Sequence, residues 1–233
     1  MADPARFRYR IGFAKLPAMR FTGHLDLHRT WERTLRRAGL PLAYTQGFSP
    51  HARIHLASAL PLGYTSECEL ADVWLEEDWD PSAILQALRF AAPPGLGIDS
   101  VGRIQAGEPV LQQQVRSAEY CIQLEATNSE DIEAGVRSLL LATSLPRERR
   151  DKAYDLRPLI EELRVERHEH GGVWLVMRLA AREAATGRPE EVLLAMGLDP
   201  AAHQSRRTRL FMAEPEAALQ TAECGPSTSD PHP

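Results

Sequence analysis

The hydrophobic and polar positions at the start of the chain predict a strand followed by an amphipathic helix. Residues 7–14, FRYRIGFA, alternate loosely between apolar and polar side chains, as a half-buried strand does. A helix is expected from His24 to Ala38, with Thr22 as its cap and Gly39 as its end. Its apolar stripe, at spacings of four, four and three, consists of Leu27, Trp31, Leu35 and Ala38.

The pattern of the next sixty residues completes one structural unit. The predicted elements are strands around residues 53–58, over 67–75 and over 98–104, and a helix over 82–90 behind Pro81. The order strand, helix, strand, strand, helix, strand is typical of a ferredoxin-like unit, in which two helices cover one face of an antiparallel sheet. We therefore expect a first domain over residues 1–104.

The second half repeats this order of elements without sequence identity to the first half. After an aperiodic linker at residues 105–116, the predicted elements are a strand over 120–124, a helix from 129 to 140, strands over 156–165 and 173–179 around a turn at 168–172, a helix over 189–197 and a strand over 209–212. The sequence thus predicts an α+β protein of two tandem ferredoxin-like (βαββαβ) domains with antiparallel sheets, the second over 117–212. Residues 213–233, rich in Ala, Glu, Pro and Ser, predict a disordered tail.

The composition is that of an ordinary globular protein. Of 233 residues, 43% are hydrophobic and 25% are charged, and no run approaches the roughly 18 uninterrupted apolar residues of a membrane helix. The charged N-terminus leads directly into the first strand, so no signal peptide is expected. The odd and widely spaced cysteines Cys68, Cys121 and Cys224 argue against a disulfide framework. We expect a cytoplasmic protein without membrane contact.

The charge is distributed unevenly along the chain. The net charge is −5, but residues 1–60 hold ten Arg and Lys against three Asp and Glu, a net charge of +7. The remaining residues hold 17 basic against 29 acidic side chains, a net charge of −12. Such polarity favours an anionic partner for one face, although a basic helix face that is merely solvated would produce the same count.

The first candidate segment, Arg20 to Arg29, places two histidines and a carboxylate in the first turns of the predicted helix. His24 and His28 are four residues apart and share a helix face, as two metal ligands would. Metal sites usually need three or four ligands, and no glutamate follows His24 as in zinc proteases, so no metal is expected. Phosphate binding at the helix N-terminus, or a capping and packing role for His24 and Asp26, are the alternatives.

The second candidate segment, residues 44–55, has the chemistry of a nucleic-acid-binding loop. Tyr44 and Phe48 can stack on bases, Gly47 allows close approach of the backbone, and Arg53 can contact a phosphate. His51 is suited to act as a general base or as a hydrogen-bond donor. The structural alternative is a turn whose aromatic side chains fill the core.

The third candidate segment, residues 147–160, is a basic island in the otherwise acidic part of the chain, and it includes Arg157. It would extend an anion-binding surface, or it would be a solvated loop. The sequence contains neither a CxxxCxxC triplet for an iron–sulfur cluster nor a Walker A, GxGxxG or GxSxG motif. Nucleotide-driven and serine-hydrolase chemistry are therefore not expected, and no cofactor is predicted.

The segments from residue 20 to residue 69 together resemble the signature of the radical-SAM-linked protein family, an uncharacterised bacterial group. Thr45 departs from the serine that is common in the family but keeps the hydroxyl, and residues 155–160 resemble the second family motif. The matching positions of the signature are Phe21, His24, Leu25, Asp26, Arg36, Arg37, Leu40, Pro41, Tyr44, Gly47, Phe48, Pro50, His51, Ala59, Leu60, Pro61, Leu62, Gly63, Ser66 and Glu69.

The resemblance implies a radical SAM protein as partner and a role in RNA metabolism. The family domain occurs fused to, or encoded beside, a radical SAM protein, and this chain lacks the cluster cysteines, so the radical SAM protein would be a separate chain. Family members also often lie beside genes for ribosomal proteins and an RNA-processing ribonuclease. Together with the charge pattern, this favours an accessory protein that binds RNA or presents a substrate in ribosomal or transfer RNA metabolism.

Two other functions are compatible with the same residues. One is an RNA-cleaving endonuclease with His24 or His51 as general acid or base. The other is a protein-interaction scaffold that docks the radical SAM chain. The residues predicted to bind RNA or substrate are Arg20, His24, Asp26, Arg29, Arg33, Arg36, Arg37, Tyr44, Gly47, Phe48, His51, Arg53 and Arg157.

Overall fold

A computed structural model of the protein describes residues 6–124, 129–149, 151–167, 172–182 and 184–213. Within them the chain has the α+β fold that the sequence predicts. The helices are α1 (His24–Arg37), α2 (Pro81–Ala91), α3 (Leu111–Gln114), α4 (Ser129–Leu141) and α5 (Pro189–Ala195). The strands are β1 (Phe7–Lys15), β2 (Ile54–Leu56), β3 (Thr65–Leu75), β4 (Leu96–Ile104), β5 (Val115–Leu124), β6 (Pro146–Arg149), β7 (Lys152–Asp155), β8 (Ile160–Arg167), β9 (Val173–Arg182), β10 (Ala185–Thr186) and β11 (Gln204–Met212).

Nine of these strands form one continuous and mostly antiparallel sheet, where the sequence predicted separate sheets. Its order is β10-β9-β5-β11-β3-β1-β4, with β2 beside β3 and β8 beside β9. A short parallel pairing joins the halves, with Arg206 opposite Thr65 and Arg207 opposite Ser66. Local alternation identifies a strand but does not identify a partner strand about 140 residues away, which is why this junction was not predicted.

Helix α1 follows the predicted pattern closely. Trp31 is fully buried and meets Phe13 of β1 edge to face, with ring centroids 4.9 Å apart. Gly39 ends the helix in the left-handed conformation, at φ +73°. The prediction of Thr22 as the cap is wrong, because Gly23 occupies the capping position and no side chain accepts from the first turn.

Each half of the sheet has its own hydrophobic core. The core of the first half lies between the sheet and helices α1 and α2, and the core of the second half lies against α4 and α5. The turn between β2 and β3 crosses this division, because Ala57, Leu60 and Tyr64 belong to the second core. Packing therefore attaches the first half to the second, in addition to strand pairing.

The second half differs from the sequence prediction in three places. Residues 146–155 form a hairpin, β6–β7, so the predicted strand at 156–165 begins only at Ile160. Residues 105–116 include α3 and the start of β5, and Leu111 is fully buried. The final strand begins at Gln204 instead of residue 209. The predicted turn at 168–172, apart from its last residue, and the predicted tail beyond Ala213 lie outside the described residues.

None of the helices within the described residues combines the length and the hydrophobicity of a membrane span.

Candidate nucleic-acid interface

Helix α1 presents four arginines to solvent, which we call the basic helix face: Arg29, Arg33, Arg36 and Arg37. At 3.6 residues per turn they lie within an arc of about 100° opposite the buried stripe. Two of them are paired on the helix itself, since Arg29 contacts Asp26 at 3.2 Å and Arg36 contacts Glu32 at 2.6 Å. These exposed pairs hold the side chains in place but contribute little stability.

Arg33 and Arg37 are the two unpaired members of the basic helix face. Neither has a hydrogen bond or an ion pair within the described part of the chain. They lie one helical turn apart and line a surface depression of about 460 Å³ together with Thr30, Thr34 and Pro93. Two guanidinium groups at this spacing are suited to hold a phosphate or carboxylate between them.

The loop of residues 45–51 follows Tyr44, which contacts the last turn of α1. The Arg36 Nε donates to the Tyr44 hydroxyl at 3.3 Å, and the backbone of Tyr44 bridges to Ala52 and closes the loop. Gly47 has φ +128°, a conformation that favours glycine. Phe48 is fully exposed next to it. Tyr44 packs partly against the core, as the structural alternative predicted, whereas Phe48 is free to stack on a ligand.

Three residues predicted to bind RNA or substrate also contact the protein itself. Arg20 donates to the Gly63 carbonyl at 2.6 Å, and Arg157 donates to the carbonyls of Ile160 and Leu140 at 3.1 Å. Arg53 is half-buried with its guanidinium 4.8 Å from the ring centroid of Trp74. These contacts fix the three side chains on the protein, and their binding of RNA or substrate stays a prediction.

No hydrogen bond or ring contact joins His24 and His51 among the described residues. His24 begins α1, whereas His51 lies in the 45–51 loop, where its backbone N–H donates to the Thr45 hydroxyl at 3.0 Å. Partial desolvation and the neighbouring His28 lower the pKa of His24, so its imidazole is mainly neutral near pH 7. The His28 imidazole has a partner within the protein, because its Nε2 lies 3.2 Å from the Ile54 carbonyl oxygen. Among the described residues no group of three metal-ligating side chains forms.

The structure adds a buried ion pair that sequence reasoning missed. Arg207 on β11 is fully buried and binds Glu69 on β3 through two hydrogen bonds, of 2.8 and 2.6 Å. Its guanidinium also lies 3.4 Å from the Tyr120 hydroxyl. Glu69 was identified as a signature position, but Arg207 lies two residues before the predicted strand over 209–212, so the sequence did not indicate that it is buried.

The turn of residues 58–64, which we call the signature loop, is held by buried cations from both halves. Arg207 donates to the carbonyls of Ser58 and Ala59, at 3.2 and 3.4 Å. Lys15, also buried, donates to the carbonyl of Tyr64 at 3.1 Å. Burial lowers the pKa of Lys15, while Glu69 acts in the opposite direction. This part of the signature therefore has a structural role in joining the two halves.

Sequence comparison assigns the chain to a family. A family model described as "Uncharacterized protein conserved in bacteria (DUF2344)" matches residues 8–189. The chain belongs to the DUF2344 family. The expected membership in an uncharacterised bacterial family is thereby confirmed. The match includes the basic helix face, the 45–51 loop and the signature loop, whereas Arg207 lies beyond it.

Other comparisons add little to this assignment. No curated protein matches the sequence. A chain in a solved structure titled "Crystal Structure of a Cbf5-Nop10-Gar1 Complex" is similar to 87% of this chain, with 10% identity and a TM-score of 0.45. The present chain spans about half of that chain, since the similarity covers 48% of it.

Proposed function

We propose that this DUF2344 protein is an accessory factor that binds RNA and presents it to a separate radical SAM enzyme in ribosomal or transfer RNA metabolism. The observation that carries the proposal is that the basic helix face, with its unpaired Arg33 and Arg37, contacts the segment that carries the exposed Phe48. The contact between Arg36 and Tyr44 brings the loop and the helix end together. Cations that follow a phosphate backbone, with an aromatic ring for a base, are the usual features of single-strand binding.

Each group has a defined task in this proposal. Arg33 and Arg37 bind neighbouring phosphates, and Phe48 stacks on an unpaired base. Arg29 and Arg36 add positive potential while remaining paired with their acids. Because phosphate contacts release counterions, affinity falls with salt, with a slope of about 0.7 logarithmic units per phosphate on a single strand.

Fluorescence anisotropy with a single-stranded RNA between 50 and 300 mM salt tests the RNA-binding proposal. The variant Arg33→Glu/Arg37→Glu is expected to lose most of the affinity and to reduce the salt slope by about 1.4, the share of two phosphates. Arg116→Glu/Arg137→Glu makes the same change in charge at exposed positions in the second half and is the matched control. Equal affinity of the two variants, or a wild-type affinity that is independent of salt, would overturn the proposal.

An exposed apolar group near His24 supports docking of the radical SAM chain as a second role. Phe21, Leu25 and Leu62 are 75%, 72% and 64% exposed. Phe21 lies beside Gly63 of the signature loop. The variant Phe21→Ser/Leu62→Ser is expected to lose co-purification with the radical SAM protein and to keep its affinity for RNA. Retained co-purification would exclude this docking surface.

We also propose that the two halves, residues 1–104 and 117–212, are ferredoxin-like domains that share one sheet. The antiparallel orders β2-β3-β1-β4 and β8-β9-β5-β11 support this, because each is the order of a split βαβ unit. Proteolysis at residues 105–110, which are exposed, is expected to give two fragments that stay associated until denaturant is added. Fragments that separate in native buffer would contradict the shared sheet.

A further inference from the structure

A groove in the second half runs from the β6–β7 hairpin to the signature loop. It consists of two adjoining cavities of about 530 and 290 Å³ that share Arg149 and Thr186. The larger cavity is lined by the hairpin residues Lys152 and Tyr154 and by residues 184–186. The smaller one adds Arg188 and ends on residues 58–61 of the signature loop. We call these two adjoining cavities the basic groove.

The strand register places cations on one face of the hairpin. Arg149 is paired directly with Lys152, and Arg147 with Tyr154, so these four side chains point to the same side of the two-stranded ribbon. Glu148 lies on the opposite side. Arg149 and Lys152 are therefore like charges directly opposite each other, an arrangement that destabilises an antiparallel pair. No acidic side chain within the described strands of the hairpin lies on this face to balance them.

Three cations of the basic groove form no ion pair among the described residues, although the half-buried Glu190 interacts electrostatically with Arg149 and Arg188. Arg149, Lys152 and Arg188 have no hydrogen bond or ion pair within the described ranges of the chain. The Glu191 carboxylate lies 4.0 Å from Arg147. One carboxylate oxygen of Asp155 accepts from the backbone N–H groups of Leu145 and Arg157, at 2.7 and 2.9 Å.

Tyr154 provides an aromatic surface between these cations. Its side chain is half-buried, and burial together with Glu191 raises the pKa of its hydroxyl. The positive charges of Arg149, Arg147 and Arg188 oppose that rise, and the strand register places Arg147 directly opposite Tyr154. A ring with flanking cations is suited to a ligand that carries both a flat base and a phosphate.

We propose that the basic groove binds a nucleotide through its terminal phosphate, with Arg149, Lys152 and Arg188 on the phosphate and Tyr154 against the base. A terminal phosphate monoester carries a charge of about −1.5 to −2, which suits three cations without ion pairs better than the single charge of a diester does. The nucleotide has two sources with the same chemistry, a free 5′-mononucleotide or the 5′-phosphorylated end of an RNA. Only the second source rests on the function proposed above.

Calorimetric titration of the full chain tests the proposal, with the four 5′-mononucleotides and the corresponding nucleosides as ligands. A parallel measurement compares a short single-stranded RNA with a 5′-phosphate and the same RNA with a 5′-hydroxyl. We expect saturable binding of a mononucleotide but not of its nucleoside, or an affinity at least tenfold higher for the 5′-phosphorylated RNA. The first result identifies a free nucleotide, and the second identifies an RNA end.

Variants separate this site from the basic helix face. Arg149→Gln/Lys152→Gln is expected to lose at least tenfold in phosphate-dependent affinity, while Arg116→Gln/Arg137→Gln leaves it unchanged. The same mononucleotide is expected to raise the thermal midpoint of the wild type but not of the hairpin variant. Arg33→Glu/Arg37→Glu is expected to keep the preference for a 5′-phosphate even where overall RNA affinity is lost. Absence of mononucleotide binding together with equal affinity for the two RNAs would overturn the proposal.

Discussion

The guanidinium of Arg207 holds both carboxylate oxygens of Glu69, although 138 residues separate them in the chain. Arg207 is fully buried and Glu69 almost so. The pair joins the last strand of the second half to the third strand of the first. It also positions the signature loop, because the same guanidinium donates to the Ser58 carbonyl. The connection between the two halves is therefore electrostatic as well as apolar.

Breaking this pair is expected to destabilise the whole protein. Arg207→Met leaves the Glu69 carboxylate buried without a counter-charge, and the free energy of unfolding is expected to fall by about 3–5 kcal/mol. Urea unfolding measures the effect. The double variant Arg207→Met/Glu69→Met is expected to be more stable than the single variant, because no buried charge remains. A single variant as stable as the wild type, or a double variant less stable than the single, would contradict the role of the pair.

Removing the Phe48 ring is expected to weaken RNA binding without changing stability. Because the ring is fully exposed, Phe48→Ala is expected to leave the thermal unfolding midpoint unchanged. Loss of one stacked base is expected to cost about 1–3 kcal/mol of affinity for single-stranded RNA. Phe90→Ala removes an equally exposed ring from α2 and is the control. An identical affinity of the two variants would exclude stacking on Phe48.

His55 is expected to make the protein less stable in mildly acidic solution. Burial and the nearby Arg53 lower its pKa, and its Nδ1 has no partner among the described residues. The unfolded chain takes up a proton near pH 6.5, whereas the folded protein does so only at lower pH. Below about pH 6.5 the unfolded state therefore binds more protons than the folded state. The free energy of unfolding then decreases as the pH is lowered, until the folded His55 is also protonated.

Chemical unfolding at pH 7.5 and 5.5 measures this pH effect. The loss of stability between the two values is expected to be smaller in His55→Gln than in the wild type. His51→Gln, at an exposed position, is expected to show the full wild-type loss. The attribution to His55 fails where all three proteins lose stability equally.

Gly95 is expected to tolerate a side chain less well than Gly39, although both have positive φ. A Cβ on Gly95 would lie 2.6 Å from the Met19 Cγ and 3.0 Å from its backbone nitrogen, whereas nothing lies within 4 Å of a Cβ on Gly39. Both alanine variants carry the backbone strain of the left-handed region. Gly95→Ala adds overpacking and is expected to lose about 1–3 kcal/mol more in urea unfolding. Equal losses would show that Met19 moves aside.

The sequence by itself determined the local elements and the composition of the candidate interface. Helix α1 was predictable because a stripe around Trp31 repeats with the helical period, and the same period leaves the arginines on the solvent side. Gly39 and Gly47 were predictable as a helix end and a turn, because few other residues adopt their backbone conformations. Each of these features depends on residues within a few positions of one another.

Only the tertiary structure decided which charges are available and how the halves join. The sequence predicts the same RNA-binding role for Arg20 and Arg33. In the structure, Arg20 donates to the Gly63 carbonyl, whereas Arg33 is exposed to solvent. The contact between Arg207 and Glu69, and the groove between the β6–β7 hairpin and residues 184–189, depend on segments far apart in the chain. Periodicity indicates that a side chain is buried. The identity of its partner is set by strand pairing and packing across that distance.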